Sequence, residues 1–327
     1  MTMAETKVSI IILTTNAISL IKEQLSNVST LDTKGLDVEC IVADNGSWDG
    51  TERAIKNYKL PNMKYKFIQN GANLGFAGGN NNGIKDAMKR GADYLLLMND
   101  DLILPPDLVV KMVKFMEKNK DVGVASPKMY FAKGCEFHKD RYKEAERGKV
   151  LWYAGGIVDR DNVYTSHRGV DEVDNGQYDK IEETDVANGA CVIIRAEVVK
   201  EIGCLDDSLF LYWEDADFSE RARRAGYKVV YYPKVSIWHK VSASTGGSGS
   251  PTNDYFLIRN RFYYAMRYSS LKTKFAVLRD TFKIIFTGRT WQKIGAIDAT
   301  LGRRGMGTWK IRLKNKIKND KKRIKKN

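Results

Sequence analysis

Tyr94-Leu95-Leu96-Leu97-Met98-Asn99-Asp100-Asp101 is the stretch whose reading decides the fold. Five apolar residues in a row predict a strand buried on both faces, as strands of a parallel sheet are. The two carboxylates that follow cannot be buried unpaired, so the strand must deliver them to solvent, a cation or a ligand. Upstream, Val8 to Leu13 predicts a strand ending at Thr14-Thr15-Asn16, and Ile18 to Val28 has helical apolar spacing. Val38 to Ala43 repeats the strand, ending in Asp44-Asn45-Gly46-Ser47. A helix is expected over Trp48 to Tyr58, with Ser47 or Asp49 as its cap. Lys64 to Gln69 gives another strand and Asn80 to Arg90 another helix. Such alternation predicts an α/β fold with a mostly parallel sheet flanked by helices. Ligands bind such sheets beyond the carboxyl ends of the strands, and here every such end is polar.

A second acidic cluster, Trp213-Glu214-Asp215-Ala216-Asp217, stands 114 positions beyond the first and opens a helix that Gly226 is placed to end. On a first helical turn, Asp215 is expected to be ionised. Between the clusters the pattern predicts a helix over Asp107 to Asn119, and strands at Val122 to Ser126, Trp152 to Val158 and Val186 to Arg195. A charged, irregular stretch runs from Lys133 to Lys149, and Lys228 to Tyr232 forms a last strand.

The 327 residues carry a net charge of +14, but unevenly: residues 253–327 hold 21 Lys/Arg against 4 Asp/Glu, leaving 33 against 36 in residues 1–252. The body therefore has no electrostatic footprint for nucleic acid. Four cysteines without paired spacing point to free thiols in a reducing compartment. Val8 to Leu13 is too short for a signal-peptide core, and no stretch reaches the roughly 18 apolar residues of a spanning helix. A cytoplasmic location is expected. The basic end interleaves Tyr255, Phe256, Phe262, Tyr263, Tyr264, Phe275, Leu278, Phe282 and Ile285 with Lys and Arg. It reads as an interfacial amphipathic element, and the run from Lys310 to Asn327 would be drawn to anionic lipid at the cytoplasmic face.

Taken in order, the motifs resemble those of family 2 glycosyltransferases of GT-A fold, in the rhamnosyltransferase-like branch. Asp44-Asn45-Gly46-Ser47-Trp48-Asp49-Gly50-Thr51 and Asn73-Leu74-Gly75-Phe76-Ala77-Gly78-Gly79-Asn80-Asn81-Asn82-Gly83 match two family motifs; Asn99-Asp100-Asp101 stands at the metal motif, and Phe210 to Gly226 matches the acidic helix. The resemblance implies a catalytic domain over residues 1–250, with a nucleotide-sugar half to about 130 and an acceptor half beyond. Residues 251–327 form a basic helical extension. It implies a nucleoside-diphosphate sugar as donor, touched by Thr14, Asn16, Asp44, Asn73, Gly75, Asn80 and Asp100. The acceptor, a glycan or lipid-linked precursor, would meet Trp213, Glu214, Gly189 and Ala190. Asp215 would be the general base. Stabilising a departing diphosphate calls for Mg²⁺ or Mn²⁺, which hard oxygen ligands suit. Asp101 is the first expected ligand, with Asn99 and His239 beside it. Asn99 replaces the first aspartate of the strict motif, which shifts weight onto Asp101. The alternatives are a sugar-nucleotide pyrophosphorylase, which would need a Gly-rich basic loop where Thr14-Thr15-Asn16 stands, and a non-catalytic nucleotide-sugar or glycan binder, which both acidic clusters oppose.

Overall fold

The computed structural model describes residues 5–241 and 249–312. The elements run β1 (Thr6–Thr14), α1 (Ile18–Val28), β2 (Leu36–Asp44), α2 (Thr51–Ile55), β3 (Lys64–Gln69), α3 (Gly75–Lys89), β4 (Tyr94–Met98), β5 (Leu102–Ile103), α4 (Leu108–Lys118) and β6 (Val122–Phe131). They continue as β7 (Leu151–Tyr153), β8 (Gly156–Asp159), β9 (Tyr164–His167), β10 (Glu182–Glu183), β11 (Cys191–Arg195), α5 (Ala196–Ile202), α6 (Glu214–Arg224), β12 (Lys228–His239), α7 (Pro251–Tyr268), α8 (Leu271–Thr287) and α9 (Thr290–Thr300).

One compact unit comprises Met1–Val158, Thr165–Leu205 and Asp215–Ser242. Its main sheet has the order β10-β12-β6-β11-β4-β1-β2-β3. β4, β1, β2 and β3 run parallel, whereas β11 is antiparallel to both β4 and β6. Alternate residues of β1 and β4 enter different cores, as the two-residue period of a strand requires. Ile10, Ile12, Leu96 and Met98 pack with Leu25 of α1 and Met112 of α4, while Ile11, Leu95 and Leu97 pack with Ile84 of α3 and Phe218 of α6. The doubly covered α/β sheet expected from the apolar runs is thus present.

Several boundaries differ from expectation for identifiable reasons. The helix expected over 48–58 shrinks to α2, because Ser47 bonds Asp44 and Asp49 Oδ1 accepts from Thr51 N and Oγ1 in a local turn. α3 begins at Gly75 rather than Asn80, so the Gly-rich motif is the first turns of a helix. A Cβ at Gly79 would lie 2.5 Å from Leu13 Cδ1 and one at Gly83 2.6 Å from Ile11 Cγ2. These glycines let α3 lie close on β1. The strand expected over Trp152–Val158 is split into β7 and β8, and Lys133–Lys149 is mainly turns around a short 3₁₀ helix at Lys139–Arg141. The four cysteines are free thiols.

The second unit comprises Asp159–Tyr164, Asp206–Glu214 and Ala243–Asn327. Tyr255, Phe256, Tyr263 and Tyr264 are buried here rather than interfacial. Tyr255 and Phe256 pack with Phe210 and Trp309, a long-range aromatic cluster that the local pattern of α7 does not reveal. Fully buried Arg259 and Asn260 grip the preceding segment. Arg259 Nη2 donates to Leu209 O (2.8 Å), and Asn260 Nδ2 donates to Leu209 O (2.9 Å), Leu211 O (2.8 Å) and Tyr212 O (2.9 Å). The gripped segment is strained: Phe210, Tyr212 and Trp213 all have left-handed backbone, at φ 68°, 65° and 74°. It runs directly into α6. Residues 313–327, most of the terminal basic run, lie outside the described residues, as do residues 242–248, which are mostly Ser and Gly. Among the described residues, no helix is long and apolar enough to cross a membrane.

Candidate active site

Two of the strand ends singled out in the sequence meet at one edge of the sheet. Thr14, closing β1, donates Oγ1 to Asp100 Oδ2 at 2.6 Å just past β4. Antiparallel pairing of β12 with β5 sets His239 opposite Leu102, and Lys240 N donates to Asp101 O at 3.0 Å. That register brings His239 Nε2 to 3.0 Å from Asp101 Oδ1, with both side chains buried. The ring of Trp152 stands edge-on to the imidazole, 4.3 Å between centroids. Asp101 and His239, 138 positions apart, are therefore adjacent. Burial pushes the Asp100 carboxyl up to about 7, with the Asp101 charge adding and the Thr14 hydroxyl opposing.

A divalent cation fits this chemistry. The groups that could hold it are the Asp101 carboxylate and the His239 imidazole, whose Oδ1 and Nε2 lie 3.0 Å apart. Among the described residues, no group of three or more His, Cys, Asp or Glu side chains forms a cage. A cation that also carries diphosphate oxygens and water needs only one or two protein carboxylates. Asn99 enters through its backbone, N–H to Ala190 O at 2.9 Å.

That bond leads to Asp215. Asn188-Gly189-Ala190 is a tight loop in which Asn188 Oδ1 accepts from Ala190 N at 2.8 Å. Ala216 N donates to Asp215 Oδ1 at 2.8 Å, and the backbone amides of Gly189 and of Asp215 itself act in the same sense, favouring the charged carboxylate. A Cβ at Gly189 would stand 3.1 Å from the Phe76 ring and 3.8 Å from Asp215 Cβ, so the close fit favours glycine. The loop thus links Asn99, beside Asp100 and Asp101, to Asp215. Burial raises the Asp215 pKa above the ordinary carboxylate value and outweighs the backbone donors. The ionisation expected from its helical turn is thus opposed by desolvation, which dominates. Asp217, by contrast, is committed to Arg221 at 2.8 Å.

The expected donor residues occupy the ends of β1 and β2 and the start of α3. Asp44 is fully buried, accepting from Ser47 Oγ (2.5 Å) and Gln69 Nε2 (2.8 Å). Asn16, in left-handed backbone, ties to the same loop: its N–H donates to Ser47 Oγ and its Oδ1 accepts from Trp48 N. Asn73 Oδ1 accepts from Gly75 N at 2.9 Å, and Gly75 takes φ +76° at the head of α3. Asn80 is buried with its amide turned back onto Phe76 O within α3. Trp213 and Glu214 belong to the second unit, where Trp213 is buried against Tyr264 at 4.8 Å.

Three further residues of this region were not among the expected site residues. Asn45 clamps the head of α3, donating to Asn73 Oδ1 and Gly75 O (both 3.1 Å) and accepting from Leu74 N. His167 Nε2 accepts from Asn188 Nδ2 at 2.9 Å while Nδ1 donates to Trp152 O at 3.0 Å; burial holds its pKa down to about 4, so the ring is neutral. Tyr153 is buried, its hydroxyl on Val186 O at 2.7 Å, and the nearby Asp215 charge adds to the upward shift that burial gives its phenol. Only Asn45, inside a recognisable motif, could have been found from sequence.

The family model for glycosyl transferase family 2 matches residues 9–203. N-acetylglucosaminyl-diphospho-decaprenol L-rhamnosyltransferase of Mycobacterium tuberculosis is 25% identical over 223 residues, covering 64% of this chain and 68% of that protein. Among solved structures, TarS of S. aureus superposes with a TM-score of 0.55 at 16% identity over 90% of this chain, which spans 48% of the TarS chain. Mannosyltransferase PcManGT of Pyrobaculum calidifontis gives 0.53 at 16% identity, over 92% of this chain and 88% of that one. These likenesses match the α/β sheet expected from the strand pattern. The chain belongs to glycosyl transferase family 2 and is a glycosyltransferase.

Proposed function

We propose that the chain moves a sugar from a nucleoside-diphosphate sugar to an acceptor hydroxyl, by a single displacement that inverts the anomeric carbon. The supporting observation is the Asn188–Ala190 loop, which ties the Asp100–Asp101–His239 edge to Asp215. Asp101 and His239 would hold Mg²⁺ or Mn²⁺, with Asp100 and Asn99 close by. Bound there, such a cation supplies electrostatic stabilisation of the departing diphosphate. PcManGT, of similar fold, was solved in complex with GDP-Man and Mn2+, which supports this reading.

Asp215 takes the acceptor proton as the hydroxyl oxygen bonds to the anomeric carbon and the bond from that carbon to the diphosphate breaks. Its raised pKa gives it the basicity to do so. Thr14, Asn16, Asp44, Asn73, Gly75 and Asn80 shape the nucleotide side, and Gly189 and Ala190 face the acceptor. The rhamnosyltransferase named above supports a rhamnose-like donor and a lipid-linked acceptor. The chain would then work at the cytoplasmic face of a membrane.

A thermal-shift screen of dTDP-rhamnose, UDP-GlcNAc and GDP-mannose, with and without Mn²⁺, tests the donor reading, because a bound ligand stabilises the fold. With the donor in hand, Asp215→Asn should keep donor binding and lose about 10²–10⁴-fold in transfer. Transfer that survives Asp215→Asn, or is indifferent to chelator, sinks the corresponding assignment.

A further inference from the structure

We infer that α8 is a membrane-docking helix, whose outward face enters the interfacial region of an anionic bilayer. The helix is inverted relative to an ordinary surface helix. Its inward line is Thr273, Val277 and Thr281, all buried, with Thr281 Oγ1 satisfied by Val277 O at 2.7 Å. Outward stand Leu271 (74% exposed), Phe275 (70%), Phe282 (50%) and Phe286 (75%). At 100° per residue these four fall within about 60° of arc, a continuous apolar stripe. Three phenylalanines at least half exposed on one helix face mark an interaction surface rather than scattered surface residues.

Charge identifies the occupant. On the same wheel Arg279, Lys272 and Lys283 border one side of the stripe and Lys274 lies on the other. Asp280, the one acid of α8, is ion-paired with Arg261. An apolar stripe between unopposed cations is what an anionic lipid surface accommodates, with rings at the acyl boundary and ammonium groups among phosphates. A second copy of the chain would bring these cations against their own kind. Residues 313–327, with eight Lys/Arg and one Asp, have the wrong charge to cover the helix. No described helix can span a bilayer, so the contact is lateral. This docking does not depend on the identity of the acceptor, and it assigns the apolar contact to α8 rather than to the terminal basic run.

The test is sedimentation of the full chain with vesicles of POPC alone and of POPC with about 30% POPG, at low and moderate salt. Expected is binding to the POPG vesicles that falls about tenfold or more in F275S/F282S/F286S and survives deletion of residues 313–327. Circular dichroism and the melting temperature of the triple variant, whose changes are all at solvent-facing positions, report that it folds. The inference is overturned if the triple variant binds like the parent, if the deletion alone abolishes binding, if neither vesicle binds the parent, or if the parent is a dimer that the triple variant dissolves.

Discussion

Replacing Asn260 by Ala should be among the most damaging single changes in the helical unit. Asn260 is fully buried and its amide group serves Leu209 O, Leu211 O and Tyr212 O at 2.8–2.9 Å, while its Oδ1 accepts from Arg259 Nε at 2.9 Å. After truncation Leu209 O keeps Arg259 Nη2, while Leu211 O, Tyr212 O and Arg259 Nε each give up one hydrogen bond. Losing the two bonds that the amide NH2 can donate and the one its oxygen accepts, at about 0.5–1.5 kcal/mol each, gives a destabilisation of about 1.5–4.5 kcal/mol. At about 2–4 °C per kcal/mol for a cooperative unit of ordinary size, the transition should fall by about 3–18 °C. Urea unfolding followed by fluorescence reads this directly, since Trp213, Trp291 and Trp309 all belong to the unit. Asn260→Asp keeps the volume and the acceptor for Arg259 but offers no donor at neutral pH, so it should be no better than Ala. A loss below about 1 kcal/mol in Asn260→Ala, or an Asp variant as stable as the parent, would show that the three carbonyls do not depend on this amide.

Asp215→Asn should raise the melting temperature at neutral pH while it lowers transfer by about 10²–10⁴-fold. Burial raises the Asp215 pKa in the fold, so the charged form costs stability at pH above the unfolded value, and the gap between variants should close as pH falls toward 4. For the same reason the acid limb of the transfer rate should lie above the ordinary aspartate value; a limb at or below it would refute the role. Gly83→Ala forces a methyl to 2.6 Å from Ile11 Cγ2, on a β-branched core side chain, and should cost about 1–3 kcal/mol by thermal melt. Asp101→Ala should erase the extra thermal stabilisation that Mn²⁺ gives in the presence of a nucleoside diphosphate; an undiminished Mn²⁺ effect places the cation elsewhere.

What could be read from the chain follows the range of the forces involved. β4 falls where the apolar run places it and α1 where helical spacing does, because burial against a sheet is written in local periodicity. α2 is shorter than its sequence suggests because Ser47 and Asp49, which look like caps, build a turn with Asp44 and Thr51. α3 was entered late because glycines resemble a loop, whereas here their missing side chains admit Leu13 and Ile11. At the candidate site, the carboxylates are legible as residue types at strand and helix ends, whereas His239 enters only through the family resemblance, because the strand expected over Lys228 to Tyr232 continues to His239. The His167–Asn188 bond is not legible, since β9 and the loop before β11 meet only through tertiary packing. Asp215 illustrates the limit: a helix terminus is visible in sequence, while desolvation is a property of everything folded around it.

The grip of Arg259 and Asn260 on Leu209–Tyr212 makes the two compact units interlaced along the chain rather than beads on a string. A chimera that exchanges α7–α9 for the helices of a relative, joined at residue 250, would transplant the donors and leave their acceptors behind. The segment entering the acidic helix would then relax toward ordinary right-handed or extended backbone. Functional grafts of this region should therefore carry Asp206–Glu214 with them, so that the heritable module is discontinuous in sequence.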